Sequence, residues 1–358
     1  MRVCVVGSGL TALTLAKALV NEKIHVDLSI SNVVNKISKS RTLGISKSNF
    51  EYFNKNIINI KKIIWKLNKI EIFSENLKNE RILDFENNDD QLFSITKNFQ
   101  LYDILLKSLS KNKLFKKIKF QEKLESFNRY NLIINTDYSN IISKKYFYKK
   151  ITKSYNSFGY VTTIHHDKIQ NHIATQIFTK NGPLAFLPIS QYETSIVYSF
   201  NKSKEDNKKN IKNLIYEYNF RYKIKKIDEI ERFELKSIIL RSYYYKNILA
   251  FGDLLHRIHP LAGQGFNMTI RDIKYLIEII KEREDLGLPI DSAINNKFEK
   301  KIRHKNYIFS NSIDLIYEFF NFERKINSKL LSKSVKVFGK NPSINKILTK
   351  IADQGFVY

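Results

Sequence analysis

The sequence predicts an α/β fold with an inserted antiparallel β-sheet and a helical C-terminal tail. Three observations support this prediction. A strand, a glycine-rich turn, a helix and a second strand follow one another over residues 2–30, short alternating strands fill residues 158–233, and apolar residues recur at helical spacing after residue 292. The chain has 358 residues, of which 43% are hydrophobic, so it can bury a sizeable core.

The N-terminal unit carries a glycine fingerprint. The apolar strand at residues 2–7 runs into Gly7-Ser8-Gly9-Leu10-Thr11-Ala12, and an apolar helix follows. In a dinucleotide-binding turn, Gly7 would form the bend, Gly9 would admit a pyrophosphate, and Ala12 would let the helix pack on the strand. A glycine turn without a ligand is the alternative, but the position in the first strand–helix turn favours dinucleotide binding.

A second glycine loop lies near residue 260. The apolar run 247–251 reads as a buried strand, which leads into Gly252-Asp253 and then into Gly263-Gln264-Gly265. Apolar residues at helical spacing follow from Ile273. Glycines let the backbone approach a ligand closely, and a helix start offers unpaired N–H groups and a positive dipole end. The loop therefore suits an electron-rich or anionic group held against main chain.

The middle of the chain is predicted to consist mostly of strands. Residues 63–96 alternate weakly, a helix is expected over Phe99–Leu109, and an apolar strand over Tyr130–Asp137. Turn signals and a charged helix at about Lys204–Tyr222 divide the following stretch. Strands are expected there at Tyr160–Ile164, Ile173–Phe178, Leu184–Pro188 and Ser195–Phe200.

The spacing Asp253-x-x-His256-x-x-His259 invites a metal interpretation. These side chains could converge on a metal only in a regular helix or a tight loop, and Pro260 with the glycines after it indicates a loop. We therefore expect no bound metal. The single cysteine, Cys4, leaves no disulfide framework and no cysteine cluster within the chain.

The chain is strongly basic, with a net charge of +26. Three explanations are open: a lysine-rich base composition, attraction to an anionic membrane surface, and nucleic-acid binding. No zinc-finger spacing or RNA-binding aromatic motif is present, so we expect no nucleic-acid partner. Membrane-surface attraction remains an alternative to the compositional account.

The sequence also gives an expectation about location. Met1-Arg2 leads directly into the first strand, without the longer apolar region of a signal peptide. No apolar run approaches the ~18 residues that a transmembrane helix needs. We expect a cytoplasmic protein, which would lie peripherally on the inner face of the cell membrane if the charge reflects membrane attraction.

These motifs resemble those of the FAD-dependent aromatic hydroxylases of the p-hydroxybenzoate-hydroxylase fold, and more closely the ubiquinone-biosynthesis hydroxylases of the UbiH/UbiF type. The first glycine motif is similar to the family's FAD fingerprint, and residues 41–46 are similar to its Arg-Thr-Leu-Ala-Leu-Ser run. Residues 252–267 match its second FAD motif, Gly-Asp-x-x-His-x-x-His-Pro-x-x-Gly-Gln-Gly-x-Asn. The run Phe178–Pro188 resembles the quinone hydroxylases in particular. The resemblance covers nearly the whole chain.

The resemblance implies a Rossmann-like FAD-binding domain with an inserted antiparallel β-sheet substrate domain and a helical C-terminal tail. The implied division of the chain is 1–62, 97–155 and 238–290 for the FAD-binding domain, 63–96 for strands of the substrate sheet, 156–237 for the substrate domain and 291–358 for the C-terminal helices.

The resemblance also implies a flavin monooxygenase, in which the cofactor supplies the chemistry. In this family NAD(P)H reduces FAD, O₂ adds to the reduced flavin, and the flavin hydroperoxide hydroxylates an electron-rich ring. The implied substrate is a polyprenylated phenol or quinone precursor of ubiquinone biosynthesis. Other ubiquinone-biosynthesis proteins and the membrane surface are implied partners.

The family's site residues carry over to positions of this sequence. Asp253 would bind the ribityl chain or ribose, and Arg41 would lie near the flavin or pyrophosphate. Pro260 would line the oxygen-reacting face, and His256 would either hydrogen-bond within the loop or act as a catalytic base. The implied cofactor-binding residues are Gly7, Gly9, Ala12, Arg41, Asp253, Gly263, Gln264, Gly265 and Asn267, the last four contacting the isoalloxazine.

The sequence departs from the family mainly on the adenosine side. Ile30-Ser31 stands where the family has an acid, and the nearby Asp27 alternates with apolar neighbours as if it faced solvent. Tyr138 replaces the glycine of an Asp-Gly motif, and Phe99 replaces an arginine. These changes predict weaker FAD binding. They leave two alternatives to a quinone hydroxylase: a flavin hydroxylase of a small soluble aromatic compound, and a non-catalytic homologue that acts as a scaffold in a quinone-synthesis complex.

Overall fold

The computed structural model describes residues 2–30, 38–78, 80–86, 91–120, 130–201, 208–326 and 329–355, which form three β-sheets and the helices around them. The strands are β1 (Arg2–Val6), β2 (His25–Ile30), β3 (Thr42–Ser46), β4 (Ile64–Leu67), β5 (Lys69–Ser74), β6 (Glu80–Glu86), β7 (Phe93–Lys97), β8 (Phe115–Lys119), β9 (Leu132–Asn135), β10 (Lys150–His166), β11 (Ile173–Thr179), β12 (Gly182–Pro188), β13 (Glu193–Asn201), β14 (Ile224–Ile227), β15 (Glu231–Leu240), β16 (Tyr244–Tyr245), β17 (Ile248–Ala250) and β18 (His256–Arg257). The helices are α1 (Leu10–Asn21), α2 (Lys47–Asn56), α3 (Asn98–Ser110), α4 (Ile141–Tyr146), α5 (Lys208–Tyr218), α6 (Gln264–Asp285), α7 (Ser292–Lys325), α8 (Leu330–Gly339) and α9 (Pro342–Gln354).

The first sheet is parallel except for one edge strand, in the order β16-β17-β9-β1-β2-β8. Four consecutive residues of β1, Val3 to Val6, are at most 1% exposed, which shows that both faces of the sheet are covered. Since β2 and β9 lie on opposite sides of β1, the carboxyl end of β1 is a topological switch point. Ligands of open α/β sheets bind in the crevice outside such a point.

The buried position of Asp27 corrects one expectation from the sequence. Asp27 lies on β2, is 3% exposed, accepts a hydrogen bond from the Tyr130 hydroxyl at 2.7 Å and pairs with Arg2 at 3.2 Å. The alternation of Asp27 with apolar neighbours suggested a solvent-facing side chain. That argument was wrong because β2 belongs to a sheet that is covered on both faces.

The second sheet has the order β18-β15-β10-β13-β12-β11-β5-β6, with β14 paired to β10. Its pairs are antiparallel except for β5 and β11, which run parallel. Side chains alternate between its faces, so Ile196 and Tyr198 of β13 pack in the cluster under α5 whereas Val197 between them faces a large cavity. The predicted inserted antiparallel sheet is thereby confirmed, with one parallel pairing.

The third sheet is small, with the order β3-β7-β4. Of the four strands between Ile64 and Lys97, β5 and β6 join the second sheet, whereas β4 and β7 join β3. The chain therefore passes between the two sheets several times in this region. The domain boundaries inferred from the resemblance stay a prediction.

The C-terminal part is helical, as predicted, so the α/β fold class with inserted sheet and helical tail is confirmed. Helix α7 packs on α6, α8 packs on β6, and α9 packs on α2. Helix α7 buries Phe298, Ile302 and Ile313, whereas Ile316 is 41% exposed. None of the helices in the described ranges combines the length and the apolar character that crossing a membrane requires.

Candidate functional site

The second glycine loop links the two large sheets. The chain leaves the first, mostly parallel sheet at β17, enters the second, mixed sheet at β18, and then continues into α6. Gly252, at the first bend, has φ +63°, and a Cβ placed on it would lie 2.5 Å from Cγ2 of Thr11. Only glycine fits this bend without strain. The contact brings the second glycine loop against the helix start that follows the first glycine turn.

A single cavity of about 1850 Å³ lies where these elements meet. Small-molecule sites usually have volumes of roughly 300–1,000 Å³, so this cavity has room for a dinucleotide together with a second molecule. Of the residues predicted for the site, those that line the cavity are Gly7, Gly9, Arg41, Asp253, Pro260, Gly263, Gln264 and Gly265. Segments more than 200 residues apart in the sequence therefore form one site.

Two helix starts face this cavity. Helix α1 begins after Gly9 and α6 begins after Gly263; neither has a side-chain cap or an acidic residue in its first turn. A Cβ placed on Gly9 or Gly265 would meet no protein atom within 4 Å, so the backbone is open to the cavity at both points. Unpaired N–H groups at two helix starts suit the pyrophosphate and the electron-rich ring edge of FAD. The residues present therefore fit the cofactor.

Charged side chains stand at the edge of this space. The Arg41 guanidinium lies 4.8 Å from the ring centre of Phe233, which places it over the sheet that floors the cavity. Asp253 is exposed and lines the cavity beside the loop. Lys144, which the sequence did not point to, adds a cation near the end of β9. Both charge signs are thus available around the glycine turns.

Asn267 lies behind the cavity wall and uses its whole amide to hold that wall together. Its Oδ1 accepts from the Ser46 N–H at 3.0 Å and from the Asn49 side chain at 3.2 Å. Its Nδ2 donates to the carbonyls of Gly44 at 3.0 Å and Gly263 at 3.1 Å. Because Asn267 is fully buried and does not line the cavity, its side chain fixes the loop beside it.

Two other predicted residues are also buried away from the cavity. His256 is 2% exposed, and its Nε2 lies 2.6 Å from Oδ2 of Asp272, whose other oxygen accepts from Asn306 at 3.1 Å. This arrangement ties β18 to α6 and α7. Ala12 is fully buried, 3.6 Å from where a Cβ of Gly7 would be, so its small side chain lets α1 sit close to the turn.

His259, next to Pro260, is enclosed by aromatic rings. Its ring stacks on Tyr317 at 4.3 Å and meets Tyr155 edge-on at 4.9 Å, and neither ring nitrogen has a hydrogen-bond partner among the described residues. Burial lowers the pKa of His259 to about 3, so the ring is neutral at physiological pH. The Tyr155 hydroxyl donates to Asp314, and burial raises the pKa of that carboxyl.

The C-terminal end of α9 closes one side of the cavity, which sequence reasoning missed. The Gln264 side chain donates to the carbonyl of Ala352 at 3.1 Å. The Asp353 side chain accepts from the Ser48 N–H at 2.9 Å, and its carbonyl accepts from the Ser46 hydroxyl at 2.8 Å. No local signal marks these residues, because their partners lie 88 to 307 positions away in the chain.

Comparisons with known proteins agree with this geometry. A family profile described as "FAD binding domain" matches residues 199–284. The chain is 27% identical over 123 residues to "Ubiquinone biosynthesis monooxygenase COQ6, mitochondrial" of Schizosaccharomyces pombe, covering 34% of this chain and 26% of that protein. It is 28% identical over 153 residues to "3-demethoxyubiquinol 3-hydroxylase" of Escherichia coli, covering 41% and 39%. The matches thus span less than half the length of these relatives.

The fold is shared over almost the whole chain with a solved structure, a variant of HpxO from Klebsiella pneumoniae complexed with FAD. The TM-score is 0.76, the sequence identity is 12%, and 99% of each chain is covered. The resemblance to FAD-dependent aromatic hydroxylases, inferred above from the motifs, is confirmed.

The role of Asn267 can be tested by replacing its amide with an apolar side chain of similar size. Asn267→Leu leaves the carbonyls of Gly44 and Gly263 and the Ser46 N–H without their partner. We expect a loss of about 3 kcal/mol of unfolding free energy, measured by chemical denaturation. The matched control is Asn311→Leu, because that exposed amide donates only within α7; its effect should stay within about 0.5 kcal/mol. Equal effects of both substitutions would contradict the proposed role of Asn267.

The buried neutral His259 predicts an acid-sensitive fold. In the unfolded chain its pKa is about 6.5, so the unfolded state binds more protons as the pH falls towards 3. Stability from this group is therefore complete above pH 6.5 and decreases on acidification, by about 2 kcal/mol at pH 5. We expect His259→Phe to reduce the loss of melting temperature between pH 7 and pH 5. The exposed His25, replaced by Gln, serves as the control and should leave that loss unchanged.

Proposed function

We propose that this chain is an FAD-dependent monooxygenase that hydroxylates the aromatic ring of a polyprenylated phenol in ubiquinone biosynthesis, with NAD(P)H as electron donor. The proposal rests on the motifs, the shared fold and the activities for which the relatives are named. The cavity is the single observation that carries it, because one continuous space is lined both by the two glycine loops and by many apolar side chains.

The two ends of the cavity differ in chemistry. The end at the carboxyl edge of the parallel sheet is lined by the glycine turns and by polar residues such as Ser139, Asn140 and Lys144. The other end is lined by apolar side chains from the large sheet and the C-terminal helices, such as Ile72, Phe178 and Phe320. A dinucleotide suits the first end, and a ring with an isoprenoid tail suits the second.

FAD, when bound, would supply the redox and oxygen chemistry. The backbone at Gly7 and Gly9 would hold the pyrophosphate, and the backbone from Gly263 to Gly265 would hold the flavin ring. Arg41 would balance negative charge near the cofactor, and Asp253 would bind hydroxyls of the ribityl chain or ribose.

The chain's own contribution at the substrate end is orientation and the exclusion of water. Apolar walls from Val161, Leu187 and Ile313 would keep the reacting ring dry. Gln176 is a polar side chain on the floor of the cavity and would offer a hydrogen bond to a ring hydroxyl. Pro260 would shape the wall beside the ring without presenting an N–H group.

Gly265→Val tests the position of the flavin. Its Cβ would enter open cavity space, so the fold should tolerate the change while the side chain occupies volume needed by the cofactor. We expect the melting temperature to change little and FAD affinity to fall by roughly tenfold or more, read from flavin absorbance and fluorescence titration.

The matched control for Gly265→Val is Lys274→Val, an exposed position further along the same helix. It introduces the same β-branched residue outside the cavity, so FAD affinity should remain at the wild-type value. Normal FAD binding by Gly265→Val would show that the loop is not where the flavin lies.

Quinone intermediates in a deletion strain test the substrate. If the proposal holds, mass spectrometry of lipid extracts should reveal an unhydroxylated or demethoxy precursor, and the wild-type gene should remove it. Unchanged quinones would instead favour a small soluble aromatic substrate. Purified protein that shows no flavin absorbance after FAD is added would reject both enzyme proposals and favour a scaffold role.

A further inference from the structure

The helices beyond residue 314 expose an unusual amount of apolar surface. Twenty large hydrophobic side chains are exposed among the described residues, and nine of them lie within residues 315–348. That segment is about a tenth of the chain, so the exposure is concentrated and not random. The nine are Leu315, Ile316, Phe322, Ile326, Leu330, Val337, Phe338, Ile347 and Leu348.

These side chains form stripes at helical spacing. Leu315 and Phe322 of α7 differ by seven positions, which places them on one side of the helix, and Ile326 follows directly after its end, with its N–H bonded to the Phe322 carbonyl at 3.1 Å. In α8, Leu330 and Val337 also differ by seven positions, and Phe338 lies next to them. The opposite side of α8 packs inwards, where Ser332 bonds to Ser74 at 2.9 Å. The outward stripes are therefore not the surface by which these helices pack on the fold.

The part of this region that follows Glu323 is purely basic up to residue 352. Residues 324–352 contain eight basic residues and no aspartate or glutamate. The remaining 329 residues carry the other +18 of the net charge of +26, so the charge per residue in this segment is about five times higher than elsewhere. Six of these cations are exposed: Lys325, Lys329, Lys333, Lys340, Lys346 and Lys350. A lysine-rich base composition does not account for such a local concentration.

The apolar stripes reach the wall of the large cavity. Leu315 and Ile316 of α7 and Leu348 of α9 are exposed, and all three line the cavity. Phe319, one turn further along α7 from Leu315, lines the cavity as well. The lining of the cavity therefore reaches the surface of α7 and α9 as an apolar rim beside the basic residues.

We propose that this surface, here called the C-terminal face and consisting of the nine apolar side chains and six lysines named above, docks on an anionic lipid bilayer. Apolar side chains beside exposed cations are the composition of helices that lie in a membrane interface. Each lysine near an anionic leaflet adds about 1 kcal/mol of attraction. The rim then faces the acyl chains, so a lipid-tailed molecule enters the cavity without passing through water.

The charge pattern favours lipid over a second copy of the chain as the partner. A symmetric dimer would bring the same surface against itself, because the interface of a two-fold dimer is isologous. The six exposed lysines on each side would then face one another and repel. The identity of the lipid-tailed molecule rests on the proposed function, whereas the docking itself does not.

Vesicle binding of the purified full chain tests the docking surface. We expect co-sedimentation with vesicles of phosphatidylcholine mixed with phosphatidylglycerol, weaker binding to phosphatidylcholine alone, and a decrease in binding as salt rises. The double substitution Val337→Glu and Phe338→Glu changes side chains that are 68% and 59% exposed, so the fold should persist. Affinity for the anionic vesicles should fall by roughly tenfold or more.

The matched control is Leu286→Glu with Leu288→Glu, in the turn between α6 and α7. These side chains are 72% and 45% exposed, so the control removes a similar apolar area and adds the same charge away from the C-terminal face. It should bind anionic vesicles like the wild type, and both variants should keep the wild-type melting temperature. An equal loss in both variants would overturn the proposal, because it would reflect net charge alone.

Other outcomes separate the docking proposal from the proposed function. Absence of vesicle binding, or a dimer in solution that the Val337 and Phe338 substitutions dissociate, would overturn the docking surface even if FAD binding and turnover of a short-tailed phenol were normal. Specific vesicle binding without any FAD binding would uphold the docking surface and reject the enzyme. A variant that loses vesicle binding but keeps turnover of the short-tailed phenol would support both.

Discussion

The site depends on how the buried amide of Asn267 is satisfied. One side chain from α6 supplies both donors and acceptors to β3, to α2 and to the glycine loop, so these elements keep a fixed spacing. A buried amide without partners would cost about 1–3 kcal/mol for each unpaired group. The loop can therefore leave its own N–H groups open to the cavity, since its shape is held from behind by Asn267 and by the contact between Gly252 and Thr11.

The cavity itself is a product of the topology. The parallel sheet provides a crevice at the end of β1, where its neighbours lie on opposite sides, and the mixed sheet provides an apolar floor. The chain passes from one sheet to the other within a few residues, between β17 and β18. A polar end for a dinucleotide and an apolar end for a second molecule are thus joined over a short distance. This arrangement suits a reaction between a bound cofactor and that second molecule.

Sequence reasoning located those elements that are marked by residues close to one another in the chain. Both glycine motifs, the strands around Gly182 and the helical tail follow from turn residues and periodicity, and the structure has them where they were expected. The first part of β10 was missed because Lys150 and its neighbours are polar and exposed, although they pair with β15. The parallel pairing of β5 with β11 was missed as well. Such contacts form between distant segments and leave no local pattern.

The hydrogen bonds from Gln264 to Ala352, and from Ser46 and Ser48 to Asp353, have a consequence for how the protein is made. The walls of one cavity come from residues near the two ends of the described chain, so a nascent polypeptide has no complete pocket until residue 353 has left the ribosome. The complete site for a cofactor therefore forms only after α9 has been translated, and the supply of the cofactor in the cell then sets how much of the newly made protein carries it.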